Sequence, residues 1–229
     1  YFSDKYRPVH YSIPHAISWF FSIEKYGIII EDDCIPNNHF FEFCKNNIRN
    51  LSKQKYMLVS GNRYSPRNNC YSSSFYSYFF HGWSWATTKR NWKLFIKYYK
   101  EKRNINRVNI KFPKFNRNIT NLYWRNIFDL IMKQRLHSWD YMLQKFMFEK
   151  KKYSIIPNKN LVINNGIDKY AQNTFKKNNL NYIGKNFKLK KINLTQHIIH
   201  DAKNDLWEEK NLYGSIKSLI SNYVKKIFF

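Results

Sequence analysis

Ile28, Ile29 and Ile30 form an unbroken β-branched run that stops against Glu31, Asp32 and Asp33, and this junction constrains the fold more than any other stretch of the chain. A short apolar run without alternation is the pattern of a strand covered on both faces, as in a parallel sheet. Acids at its carboxyl end then fall where open α/β sheets bind their ligands. Adjacent carboxylates repel one another, and partial desolvation at a strand end raises the cost of keeping them charged. A divalent cation offsets that cost: hard oxygen ligands suit Mg²⁺ or Mn²⁺, with substrate phosphates completing the coordination shell. The alternative for the triplet is an exposed acidic loop of turn residues and helix caps.

The surrounding pattern alternates helix with strand, which predicts an α/β fold. Ile13, Ile17, Phe20 and Phe21 recur at helical spacing over Ser12 to Glu24, with Pro14 tolerated in the first turn. Phe40, Phe41, Cys44 and Ile48 mark a second helix behind Asn caps, and Tyr56 to Ser60 reads as another buried strand before a Gly61-Asn62 turn. The Ser- and Tyr-rich stretch from Arg63 to Phe80 reads as a loop leading to a short strand. "HGWSWATTKRNWK" reads as a Gly-Trp turn passing into a basic helix, and Arg103 to Asn118 as a polar linker. A helix over about Thr120 to Arg135 follows. Ser138 caps a further one, with Trp139 and Asp140 in its first turn, where the helix dipole favours an acid. Ser154 to Ile156 and Leu161 to Ile163 are two more short strands. Beyond Asp168 the chain is rich in Lys and Asn and closes in a basic amphipathic helix from Leu212.

The charge balance, 40 Lys and Arg against 15 Asp and Glu, gives a net +25 and points to polyanionic partners, although Lys, Asn, Ile, Phe and Tyr also share AT-rich codons. Aromatic residues at 19% supply too much apolar area for a disordered chain. Cys34, Cys44 and Cys70 form no CxxC pair, so neither a zinc knuckle nor a disulfide framework is indicated, and a reducing cytoplasm is the expected compartment. No stretch reaches the roughly eighteen consecutive apolar residues of a membrane crossing.

The segment "GIIIEDDCIPNNHFFEFC" resembles the metal-binding segment of GT-A-fold nucleotide-diphospho-sugar transferases, in particular the N-acetylglucosaminyltransferase I family and its bacterial relatives. "HGWSWATTKRNWK", "SWDYMLQKFM" and "YSIIPNKNLVINNG" match in the same order, so the resemblance covers about Ile13 to Gly166. It implies a GT-A-like mixed, mostly parallel sheet flanked by helices, in a catalytic domain over residues 1–170 that lacks its N-terminal strands, followed by a basic extension over 171–229. It further implies a metal-dependent inverting glycosyltransferase with a DXD-like motif, using Mn²⁺ or Mg²⁺. The donor would be a nucleotide sugar and the acceptor a glycan or lipid-linked hydroxyl in surface polysaccharide synthesis.

Carried over residue by residue, the resemblance makes Asp33 the metal ligand. Glu31 and Asp32 would contact the donor's ribose and sugar, Trp139 and Trp83 would pack in the donor site, and Asp140 would be the base that deprotonates the acceptor. The chemistry is coherent in its own right, since transfer needs charge neutralised on the departing diphosphate and a proton taken from the attacking hydroxyl. Each residue also has a structural alternative: Asp140 as a helix-dipole partner, Trp83 and Trp85 as core aromatics, His81 as a loop histidine. His197 and His200 are spaced for one helix face or a metal pair, but no third ligand accompanies them.

Two departures qualify the match. The chain starts without Met and only about thirty residues precede Glu31, so the base-reading half is expected to lie upstream or to be missing. "DKYAQNTF" follows Gly166 where relatives often place a His. The competing functions are a basic nucleic-acid-binding module, using the positive surface and interleaved aromatics and giving the acids no role, and an inactive truncated remnant. The basic C-terminal helix suggests peripheral contact with an anionic inner membrane face.

Overall fold

The computed structural model describes residues 7–66, 72–102, 112–166 and 198–213. The chain forms two compact units, one of Gly27–Thr87 with Tyr153–Asp205, and one of Tyr1–Tyr26, Thr88–Lys152 and Leu206–Phe229. The first is built on a sheet and the second on helices.

The sheet unit takes its strands in the order β1 (Tyr26–Ile30), β5 (Ser84–Thr88), β3 (Tyr56–Ser60), β6 (Tyr153–Pro157), β4 (Ser74–Ser77) and β8 (Ile199–His200). The sheet is mixed. β3 runs parallel to β6 with Val59 opposite Ile155, and antiparallel to β5 with Val59 opposite Ala86. β4 runs antiparallel to β6 and parallel to β8. β3 is buried along its whole length, which is what its continuous apolar run predicts for a central strand. On one face lies α2 (Asn38–Asn47), which buries Phe40, Phe43 and Cys44 against Val59, Ala86, Ile155 and Val162. The Asn37 side chain accepts the Phe40 N–H at 3.1 Å and caps this helix, a bond worth about 1 kcal/mol.

Two expectations need correction. β1 is not covered on both faces: Ile28 is 38% and Ile30 43% exposed. The cause is position, because β1 is an edge strand and, among the described residues, pairs only with β5. Likewise, Ser84–Thr88 is not the entry to a helix but the strand β5, with Trp85, Ala86 and Thr87 buried. Aromatic and β-branched side chains suit a pleated, buried surface, and the Thr87 hydroxyl closes onto the Met57 carbonyl of β3 at 2.7 Å.

The stretch after β8 holds the sheet unit's far edge together with acids. Asp201 pairs with Arg63 at 2.8 Å, both side chains being under 5% exposed. Asp205 accepts from the Ser77 hydroxyl at 2.5 Å, from the Tyr78 N–H at 3.2 Å and from His200 Nε2 at 2.7 Å.

The helical unit contains α1 (Val9–Ile23), α3 (Lys89–Lys102), α4 (Asn118–Met132) and α5 (Trp139–Glu149). α1 buries Ile17 and Phe21, and its Ser18 hydroxyl accepts from Trp92 Nε1 of α3 at 2.9 Å. Trp124 and Phe128 of α4 meet Phe148 of α5 at ring separations of 5.3 and 6.2 Å. The N-cap residue of α4, Arg117, makes no side-chain capping hydrogen bond. Instead the buried carboxylate of Glu209, beyond α6 (Ala202–Glu208), accepts the N–H groups of Asn116 and Arg117 at 3.2 and 3.0 Å and the Thr120 hydroxyl at 3.3 Å. The polar linker and the C-terminal amphipathic helix read from the sequence lie mostly outside the described residues, in 103–111 and 214–229. No helix among the described residues is long and apolar enough to cross a membrane.

Candidate metal centre

At the carboxyl end of β1 the chain turns sharply. The Glu31 N–H donates to the Trp83 carbonyl at 3.3 Å, prolonging the pairing with β5, and the Cys34 N–H donates back to the Glu31 carbonyl at 3.0 Å. Asp32 and Asp33 occupy the turn, after which β2 (Cys34–Pro36) pairs antiparallel with β7 (Val162–Asn164), Cys34 facing Asn164. The Asn165 N–H donates to the Asp33 carbonyl at 2.8 Å. The acidic turn is thus held on one side by β5 and on the other by the segment after β7.

This geometry sorts the acids. One ligand atom each from Glu31, Asp33 and Cys34 can be chosen so that all lie within 4.8 Å of one another, and this is the group among the described residues able to hold a metal ion. Asp32 is exposed and lies outside it. Glu31, expected to contact the donor, therefore stands beside Asp33 as a second carboxylate. Cysteine spacing gives Cys34 no role, and its adjacency to the acids is the sequence signal that points to it. The thiol donates to Asp33 Oδ1 at 3.3 Å and accepts from Asn164 Nδ2 at 3.6 Å. Burial first, then the Asp33 hydrogen bond and the charges of Asp33 and Glu31, push it well above the ordinary thiol range, while Asn164 acts in the opposite direction.

No family model matches the chain, and no curated protein matches it. The chemistry of the centre is therefore argued from its own donors. Two carboxylates in a strongly basic chain fit a hard divalent cation of the Mg²⁺ or Mn²⁺ kind, which needs only one or two protein carboxylates when phosphates supply the remainder. Gly166 completes the wall. A Cβ there would fall 2.1 Å from Asp33 Oδ2, so only glycine lets the backbone lie against the carboxylate.

The other candidates sort by environment. Trp83 adjoins the centre through its carbonyl, and its ring meets Tyr64 edge-on at 5.3 Å while packing against the core. Trp85 is 1% exposed, a core aromatic. His81 is fully buried and donates from Nδ1 to the Asn62 carbonyl at 3.0 Å, as befits a structural histidine. His200 is committed through Nε2 to Asp205, and His197 lies outside the described residues.

Asp140 and Trp139 belong to the helical unit. Asp140 is half-buried in the first turn of α5, and its carboxylate accepts a hydrogen bond from the Ser138 hydroxyl. That hydroxyl in turn accepts the Tyr141 N–H at 3.2 Å, which is the predicted cap. The Trp139 ring is 6% exposed and meets Trp92 at 6.3 Å.

Proposed function

We propose that the chain is a metal-dependent inverting glycosyltransferase of GT-A type, moving a sugar from a nucleoside-diphosphate donor to an acceptor hydroxyl. The observation that carries this reading is the convergence of Glu31 and Asp33 with the Asn164 to Gly166 segment at the carboxyl end of β1. The two segments are distant in sequence, and both belong to the ordered motifs that resemble the family.

In this reading Glu31 and Asp33 hold Mn²⁺ or Mg²⁺, which when bound neutralises charge on the donor diphosphate. Asp140 takes the proton from the acceptor hydroxyl. The acceptor oxygen forms a bond to the anomeric carbon as the bond from that carbon to the diphosphate oxygen breaks. The nucleoside diphosphate then leaves with the electron pair. Trp83, beside the Glu31 amide, bounds the donor site. The acceptor is a glycan or a lipid-linked sugar, and surface-glycan assembly at the inner face of a membrane is the setting that fits a basic chain.

The test is release of nucleoside diphosphate from a panel of nucleotide sugars, with Mn²⁺ and with chelator, in the presence of simple glycoside acceptors. Metal-dependent release is expected to fall at least about 100-fold in Asp140→Asn, the size of effect typical for losing a general base, and to be lost in Asp33→Asn, which removes a charge from the metal site. Release unchanged by chelator and by both substitutions would refute the assignment.

A further inference from the structure

We propose that Asn164 and Gly166 are positioning residues for the Asp33 carboxylate, fixing the one side-chain orientation in which it meets a divalent cation. The inference rests on the metal-centre reading above and adds to it the residues that hold the ligand still.

Three contacts restrain Asp33 from outside the acidic turn or from its buried flank. Its carbonyl takes the Asn165 N–H at 2.8 Å. Oδ1 takes the Cys34 thiol at 3.3 Å. The Gly166 backbone lies so close that a Cβ would fall 2.1 Å from Oδ2, 2.9 Å from Cγ and 3.1 Å from the Asp33 Cβ. The carboxylate therefore lies against the glycine along its whole length and has no room to swing towards it.

Asn164 ties these contacts together. Its Oδ1 accepts the Gly166 N–H at 2.8 Å, which fixes the backbone that walls Oδ2. Its Nδ2 reaches the Cys34 Sγ at 3.6 Å, on the thiol that restrains Oδ1. Asn164 is 7% exposed and stands opposite Cys34 in the β2–β7 ladder, so its position is set by backbone pairing. A single buried amide thus braces both oxygens of Asp33. Neither Asn164 nor Gly166 offers a charge to the cation, so their effect on it passes through Asp33. Loss of such outer partners typically weakens metal affinity about 10- to 100-fold.

The experiment titrates Mn²⁺ into the 229-residue chain, following free Mn²⁺ by electron paramagnetic resonance, with circular dichroism and the thermal midpoint measured on the same samples. Variants are Asp33→Asn, Gly166→Ala and Asn164→Ala. The inference expects Asp33→Asn to abolish binding, and both others to weaken it about 10- to 100-fold while far-ultraviolet dichroism stays as in the parent chain. If Gly166→Ala does not fold, Asn164→Ala decides the matter. Parent-like affinity in Asn164→Ala, with binding lost in Asp33→Asn, would overturn the positioning role and leave the metal centre standing. Binding that Asp33→Asn does not alter would overturn both.

Discussion

Asn165 donates its backbone N–H to the Asp33 carbonyl at 2.8 Å, and through that bond the segment after β7 sets where the acidic turn sits. The carboxylates that end β1 are placed by pairing on two sides: β5 before the turn and β7 after it. Several consequences of this and the surrounding packing are open to measurement.

Glu209→Ala removes the carboxylate that stands in for a cap at the start of α4, leaving the Asn116 and Arg117 N–H groups without it. These N–H groups are only part-buried and the Thr120 hydroxyl is buried, so losing the charged acceptor costs about 1–2 kcal/mol. Urea denaturation should show a loss of that size, with Glu209→Gln losing less because one acceptor oxygen remains. Equal stability of Glu209→Ala and the parent would contradict the capping role.

Arg63 and Asp201 form a buried ion pair, so removing one partner strands the other charge. Arg63→Met alone should destabilise by about 3–5 kcal/mol. Arg63→Met combined with Asp201→Leu should recover much of that loss, because the double change removes both desolvation penalties. A double variant as unstable as the sum of the single ones would count against the pair.

Gly61 precedes Asn62 at the end of β3, where a Cβ would meet the Phe40 ring at 2.5 Å and Val162 Cγ2 at 2.7 Å. Both neighbours are fully buried core residues. Gly61→Ala should therefore cost about 1–3 kcal/mol by overpacking. Thermal unfolding reads this directly, and an unchanged midpoint would show that the core yields there.

Burial pushes the Cys44 thiol far above its ordinary range. A group whose pKa is raised by folding contributes stability that is intact below its unfolded pKa, about 8.5 for a thiol, and declines as pH rises above it. The urea midpoint should fall between pH ~7.5 and pH ~9.5, roughly a unit either side of that value, and Cys44→Ala should show a shallower fall. Parallel pH profiles for the two proteins would remove Cys44 from the account.

Much of this architecture is legible in the sequence because local signals and tertiary packing agree. Asn37 and Ser138 read as caps and act as caps, and the apolar run of β3 reads as a central strand and is one. The failures have a common cause in partners that the local pattern does not carry. Ile28 and Ile30 have the composition of a doubly covered strand, yet burial depends on neighbours, and β1 stands at an edge. "SWATT" is too short to separate a strand from a helix entry until Thr87 meets Met57 across the sheet. At the candidate centre the acids are visible in sequence, but their selection is not. That Glu31 joins Asp33 while Asp32 faces solvent follows from the turn, and that Gly166 walls the carboxylate follows from strand pairing across the chain. The buried acids of the C-terminal stretch are hidden for the same reason, since Asp205 and Glu209 find their partners at Ser77 and Thr120.

The central claim is that Asp33 binds a divalent cation that recruits a nucleoside diphosphate. Titration calorimetry of nucleoside diphosphates into the chain, with Mn²⁺ and again with chelator, tests it most directly. The account predicts binding that appears only with Mn²⁺ and is lost in Asp33→Asn while the fold is retained. Equal nucleotide affinity with and without the metal, or in the Asp33→Asn protein, would contradict it.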